Sequence, residues 1–212
     1  MTVKIDVISD VVCPWCFIGK RKLESALQLY RERHPQASAP IVNWHPFQLN
    51  PDLPPEGVDR DEYLRRKFGK RADDIYARVT EAGASVDIPF AFGKVVRQPN
   101  TLAAHSLIAL AGDAGRQDEV VEALFRAYFV DGQDLTSNET LVSVASAAGL
   151  EPASVTDCLA SGNAREHMLS EDLQSRELGV DGVPFFIFNR RYAVSGAQDP
   201  ETLLGAMLKA EE

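Results

Sequence analysis

The sequence predicts an α/β fold interrupted by an all-helical insert, and three observations carry that prediction. A period-2 run of apolar and polar residues opens the chain, helical periodicity dominates residues 58 to 178, and the period-2 pattern returns after Gly182. Removing the helical block leaves β-α-β at one end and β-β-α at the other. The strands of the α/β unit therefore come from both ends of the chain.

Residues 3 to 9, VKIDVIS, alternate apolar and polar side chains and are rich in β-branched residues, which predicts a strand. Beyond Cys13, Phe17, Leu23, Ala26, Leu27 and Tyr30 keep helical spacing until His34-Pro35 stops the helix. A second strand is predicted over 40 to 49, PIVNWHPFQL. Trp44 and Phe47 lie three apart within it, so they do not share one face of a regular strand. Both are expected to line the core or a groove. NPDLPPEG, 50 to 57, then breaks regular structure with three prolines and a glycine.

The middle segments DRDEYLRRKFG, ADDIYARVTEAG, NTLAAHSLIALAGDAG, DEVVEALFRAYFVDG, SNETLVSVASAAG and NAREHMLSEDLQSRELG repeat apolar residues at helical spacing. Several start at Asp, Asn or Ser and stop at Gly, as capping requires. Residues 85 to 99, SVDIPFAFGKVVRQP, are the irregular, aromatic-bearing stretch of this block. VPFFIFNRRYAVSG, 183 to 196, reads as two strands about a turn at Asn189-Arg190. The last helix, DPETLLGAMLKAEE, takes Asp199 as N-cap and Pro200 in its first turn.

Composition narrows the partners. The 212 residues carry a net charge of −9, which argues against nucleic acid, since phosphate neutralisation needs clustered Lys and Arg. No apolar run approaches the roughly 18 residues needed to span a bilayer. Lys4 and Asp6 interrupt any signal-peptide apolar core, so the expected compartment is the cytoplasm, where most thiols stay reduced. Three cysteines do not make a disulfide framework.

SDVVCPWCFIGKRKL, 9 to 23, raises the chemical question: a staple, half of a metal site, or a redox pair. Zinc needs about four ligands, and no second CxxC or CxxxH completes a set. His34, His45, His105 and His167 are scattered without metal spacing, so no metal is expected. A thiol attacks as its thiolate, and an ordinary cysteine has a pKa near ~8.5. With Cys13 at a helix N-cap and Pro14 at the first helical position, unpaired N–H groups and the positive dipole end face its sulfur. Such settings lower a thiol pKa to between ~3.5 and ~7.5. Cys16, one turn on, is placed to resolve the mixed disulfide that Cys13 forms with a substrate. Cys158 falls on a helical pattern and reads as a small buried hydrophobe. In GVDGVPFFIF, a proline opens a strand directly after a glycine-bearing loop. Alone it is an ordinary trans strand start; coupled to CPWC, the cis reading of Val183-Pro184 is favoured. A cis bond there would expose the Val183 N–H and C=O to an extended substrate.

SDVVCPWCFIGK near the start, with GVPFFIFNRRYAVSGAQ near the end, resembles the DsbA-like thiol oxidoreductases of the thioredoxin superfamily, and among them the cytosolic FrnE-type branch. NWHPFQLNP at 43 to 51 and QPNTLAAH at 98 to 105 extend the resemblance over essentially the whole chain. It implies a thioredoxin fold formed by residues 1–51 and 180–212, interrupted by a helical domain over 52–179. It implies Cys13 as nucleophile, Cys16 as resolving thiol and Pro184 as the cis-proline facing them, beside Val183. Pro14 and Trp15 would flank the sulfurs, and Ser195 and Gln198 would line the groove near the last helix. His105 either faces this cleft or satisfies a buried hydrogen bond; Asn100 is its helix N-cap.

Two departures stand out. Relatives often carry a buried acid six residues before the first cysteine, where this chain has Val7, so the proton acceptor for Cys16 lies elsewhere, with Asp10 or water as candidates. Trp15 occupies a position where periplasmic members often place His, which implies a less extreme oxidant. The expected activity is reduction or isomerisation of disulfides on proteins or small molecules. No bound cofactor is expected; glutathione is a candidate co-substrate, and disulfide-bearing proteins or glutathione mixed disulfides are the partners. Two other readings remain. One is a glutathione-dependent isomerase or transferase of the 2-hydroxychromene-2-carboxylate isomerase or kappa type, which carries serine in the place of Cys13. The other is a holdase-type module using Phe90 and Phe92, for which packing of the insert is the weightier explanation.

Overall fold

The computed structural model describes residues 2 to 212. Strand β1 (Lys4–Ser9) leads into helix α1 (Pro14–Arg33) and strand β2 (Ile41–Pro46), and β1 pairs with β2 in parallel. The return to a parallel neighbour requires a crossover, and α1 provides it. Strands β5 (Phe185–Phe188) and β6 (Tyr192–Ser195) complete a four-stranded sheet of order β2-β1-β5-β6. Helix α9 (Pro200–Glu211) packs beside α1 on one face of that sheet.

Between the two sheet halves run α2 (Arg60–Phe68), α3 (Ala72–Ala84), α4 (Leu102–Asp113), α5 (Gln117–Phe129), α6 (Asn138–Ala147), α7 (Pro152–Ala160) and α8 (Gly162–Glu177). The insert is not purely helical. β3 (Val58–Asp59) and β4 (Arg97–Gln98) form a short antiparallel ribbon that closes the irregular 85–99 stretch against the start of α2. Two residues per strand are too few for alternation to show in a sequence.

Local chemistry accounts for the boundaries. Cys13 sits at the extended N-cap of α1, with Pro14 at N1 and basic Arg31 and Arg33 in the last turn. Asn189 and Arg190 both adopt positive φ (48° and 55°) in the β5–β6 turn. Asn189 tolerates that conformation, and its side chain accepts from Lys4 N–H at 2.7 Å and donates to the Ala210 carbonyl at 2.8 Å. One expected cap differs, and another caps by position without a side-chain bond. Thr101, not Asn100, precedes α4; Asn100 accepts from the Leu102 N–H while its amide donates to the Leu53 carbonyl, tying the 50–57 loop to α4. Asp199 holds the N-cap position of α9, but its carboxylate pairs with Lys22 at 2.9 Å.

One apolar core runs through both parts. Phe17 of α1 stacks on Phe125 of α5 with ring centroids 5.0 Å apart, and Phe129, Phe186 and Phe188 are sealed in the same cluster. Each such ring contributes about 1.5–3 kcal/mol relative to exposure. Trp44 faces this core, whereas Phe47 joins a small cluster with Ile8 and Val180, so the two aromatics point into different layers. The open edge of the sheet at β2 is blunted by Gln117, whose amide accepts from Trp44 N–H at 2.8 Å and donates to Trp44 C=O at 3.2 Å. No helix among the described residues is long and apolar enough to cross a membrane.

Candidate active site

Two loops converge at the N-terminus of α1. The first carries CPWC: the Cys13 N–H donates to the Asp10 carbonyl at 3.0 Å, and the Cys16 N–H to the Cys13 carbonyl at 3.0 Å. Neither cysteine is disulfide-bonded. Cys13 retains 5% of its surface and Cys16 only 1%, while Trp15 stands 41% exposed between them. The second loop carries Val183-Pro184, whose peptide is cis. The Cys13 thiol donates to the Val183 carbonyl across the gap at 3.5 Å.

Gly19 lets the two loops come this close. An added Cβ there would lie 2.9 Å from Pro184 Cγ and 3.3 Å from Phe186 Cζ. Sequence reasoning missed this residue; the available signal was a glycine kept inside an otherwise unbroken helical pattern. Pro184 is held in turn by the SGAQ turn, since the Gly196 N–H donates to the Pro184 carbonyl at 2.8 Å. Ser195 pairs in register with Phe185, and Gln198 donates back to the Ser195 carbonyl at 2.9 Å, so both exposed side chains border the cis-proline loop.

The two thiols sit in different surroundings. Burial pushes the Cys16 thiol well above the usual cysteine range, and its neighbour Cys13 pushes the same way. The Asp10 N–H and the Ser9 hydroxyl, both directed at the Cys16 sulfur, oppose this without overcoming it.

The remaining candidate residues lie apart from the groove. His105 is buried beside Asp10, with Nε2 3.5 Å from Asp10 Oδ1, and only 3% of it is exposed. As a groove-lining residue it is therefore displaced: α4 packs under the CPWC loop and turns the ring inward. Phe90 and Phe92 stack at 4.8 Å, and Phe90 meets Phe17 edge-on at 6.1 Å, so they seat the 85–99 stretch on α1. Among the described residues no cluster of three or more His, Cys, Asp or Glu side chains is arranged to hold a metal ion. A cleft of about 840 Å³ beyond the β2 edge is lined by Trp44, His45, Gln117 and Glu171 among others, and by none of the CPWC or cis-proline residues.

A reactive-looking dithiol opposed to a cis-proline invites comparison with known proteins. The DSBA-like thioredoxin domain family model matches residues 4–208. The chain belongs to that family. The chain is 26% identical over 194 residues to the uncharacterized protein YwbO of Bacillus subtilis, covering 88% of this chain and 87% of YwbO. Among solved structures it is similar to the probable DsbA oxidoreductase SCO1869 of Streptomyces coelicolor. That match has a TM-score of 0.87 and 28% identity, covering 99% of this chain and 90% of the other. The cytosolic disulfide reductase DsbM of Pseudomonas aeruginosa, solved with GSH, shares the fold at a TM-score of 0.65 and 18% identity, over 98% of this chain and 95% of DsbM. The oxidoreductase family membership and the central sheet with its many helices thus agree with the architecture read from the sequence.

Proposed function

We propose that the protein exchanges thiols and disulfides, reducing or isomerising disulfides of proteins or small molecules through Cys13 and Cys16. The observation that carries this reading is the Cys13 thiol facing the Val183 carbonyl at 3.5 Å, beside Pro184 and at the start of a long helix. Among the described residues the Val183 N–H has no backbone partner, which leaves it free to pair with an extended chain lying in the groove.

In the reaction, the Cys13 thiolate attacks one sulfur of the substrate disulfide and the other sulfur leaves as a thiolate that takes up a proton. Cys16 then attacks Cys13, forming the Cys13–Cys16 disulfide and releasing the second substrate thiol. The substrate gains two electrons and the dithiol loses them. Glutathione, the co-substrate in this reading, returns the pair to the dithiol as two molecules are oxidised to glutathione disulfide. A reducing cytoplasm fits that direction, and the solved relative with GSH makes glutathione the first compound to try. A sulfur at Cys13 with a second behind it at Cys16 favours exchange over glutathione-dependent isomerisation, which needs no resolving thiol.

A Cys16→Ala variant tests the reading. It is expected to accumulate a covalent Cys13 mixed disulfide after attack on an insulin disulfide or on glutathione disulfide, visible by mass spectrometry, while insulin reduction by the variant stops. Full turnover without Cys16, or no adduct at Cys13, would show that the dithiol is not the working group.

A further inference from the structure

Among the described residues, one side chain outside the SGAQ turn, 195 to 198, donates to it. Lys22 of α1 reaches the Ala197 carbonyl with Nζ at 3.1 Å and pairs with Asp199 at 2.9 Å. The two carbonyls before Ala197 are satisfied from within the turn. Ser195 accepts from the Gln198 side-chain amide and Gly196 from the Gln198 N–H, both at 2.9 Å. The turn thus receives one side-chain tether from α1. It passes one on, the Gly196 N–H donating to the Pro184 carbonyl at 2.8 Å.

Gly19 and Lys22 are three residues apart and so share a face of α1. Gly19 meets the Pro184 ring, and Lys22 meets the turn that holds the Pro184 carbonyl. The ion pair does not account for this lysine. Asp199 is 83% exposed, and exposed ion pairs contribute little. Helix α9 is tied to α1 elsewhere, by Arg33 to Glu201 and by the Tyr30 hydroxyl to Glu211. Those ties attach α9 without Lys22, whereas the Ala197 carbonyl has no other donor among the described residues.

We propose that Lys22 is a positioning residue for exchange on polypeptide disulfides. It fixes the SGAQ turn on α1 and, through Gly196 and Pro184, holds Val183 opposite Cys13. The inference rests on the exchange reading above and names the substrates that depend on Lys22: disulfides in extended chains, whose peptide groups pair with the Val183 backbone. A small disulfide without peptide groups needs only access to Cys13.

The pre-reduced protein and its Lys22→Met variant are compared on two disulfides. With insulin, acid quenching and thiol counting give the half-saturating concentration and the limiting rate. With the chromogenic disulfide DTNB, stopped flow gives attack on a disulfide that has no peptide groups. In Lys22→Met the half-saturating insulin concentration is expected to rise about threefold to tenfold, the range spanned by one net hydrogen bond. The limiting rate and the DTNB rate should stay within about twofold of the unmodified protein, the scatter below one net hydrogen bond. Lys22→Arg, which keeps a donor on a long stem, should recover most of the loss. Arg33→Met breaks another α1–α9 ion pair at the far end of α1 and should alter neither reaction. An unchanged insulin dependence in Lys22→Met overturns the proposal. Equal slowing on insulin and DTNB also overturns it, because that marks a general structural loss, and so does an equal effect of Arg33→Met. Should Lys22→Met fail to fold, Lys22→Gln, with a polar end on a shorter stem, is read in the same way. If the unmodified protein reduces neither insulin nor DTNB, the exchange reading itself has failed.

Discussion

Replacing Gly19 by alanine sets two magnitudes against each other. Inside a helix, alanine is favoured over glycine by about 1 kcal/mol. At this position, however, the new Cβ would sit 2.9 Å from Pro184 Cγ and 3.3 Å from both Pro184 Cβ and Phe186 Cζ. Phe186 is fully buried and cannot swing out, and overpacking of this kind costs about 1–3 kcal/mol. The difference is a net loss of roughly 0–2 kcal/mol. The effect on exchange should be larger than the effect on stability. Relief of the clash moves Pro184 away from α1 and carries Val183 with it, lengthening the 3.5 Å contact to Cys13. Urea unfolding followed by circular dichroism should show a lower midpoint at unchanged slope, and insulin reduction should fall at equal folded fraction. A variant that gains about 1 kcal/mol, as an open helical site would, and keeps full turnover would refute the close packing of α1 on Pro184.

The shared core makes Phe125→Ala costly, by about 3–5 kcal/mol, because a sealed ring stacked on Phe17 is lost. Unfolding should stay a single transition when followed by helical dichroism and by tryptophan fluorescence, since Trp15 and Trp44 both report on the sheet end; two separate transitions would mean that the insert folds on a core of its own. Glu122, with a side chain 24% exposed, meets Arg21 and Lys20. Burial alone would raise its carboxyl pKa, but the Arg21 hydrogen bond and the Lys20 charge hold it below the usual range. A lowered folded-state value means stability that is full above the ordinary glutamate range and is lost as pH falls through the folded value. Glu122→Gln should therefore lose about 1 kcal/mol near neutral pH and show a shallower acid limb; an unchanged acid limb would show that the ion pairs contribute nothing.

Period and punctuation in the sequence were sufficient for the strand–helix–strand start, the helical middle and the closing hairpin, because each depends on residues near one another along the chain. Cys13 at the N-cap of α1, Pro14 at N1 and the positive-φ turn at Asn189-Arg190 are of this kind. So is the dithiol: its spacing and its place between a strand and a helix are local facts. What only the tertiary structure decided involves partners far apart in sequence. Gly19 looks like a mild helix defect until Pro184, distant along the chain, packs against it. His105 looked equally suited to a groove or to the interior, and the choice was made by α4 packing under the CPWC loop, which turned its ring onto Asp10. The ribbon of Val58–Asp59 with Arg97–Gln98 is too short to carry its own signal and exists because the insert folds back on itself. Local propensity acts over a few residues and leaves its mark in the text of the chain; burial and facing side chains are set by long-range closure, which no short window records.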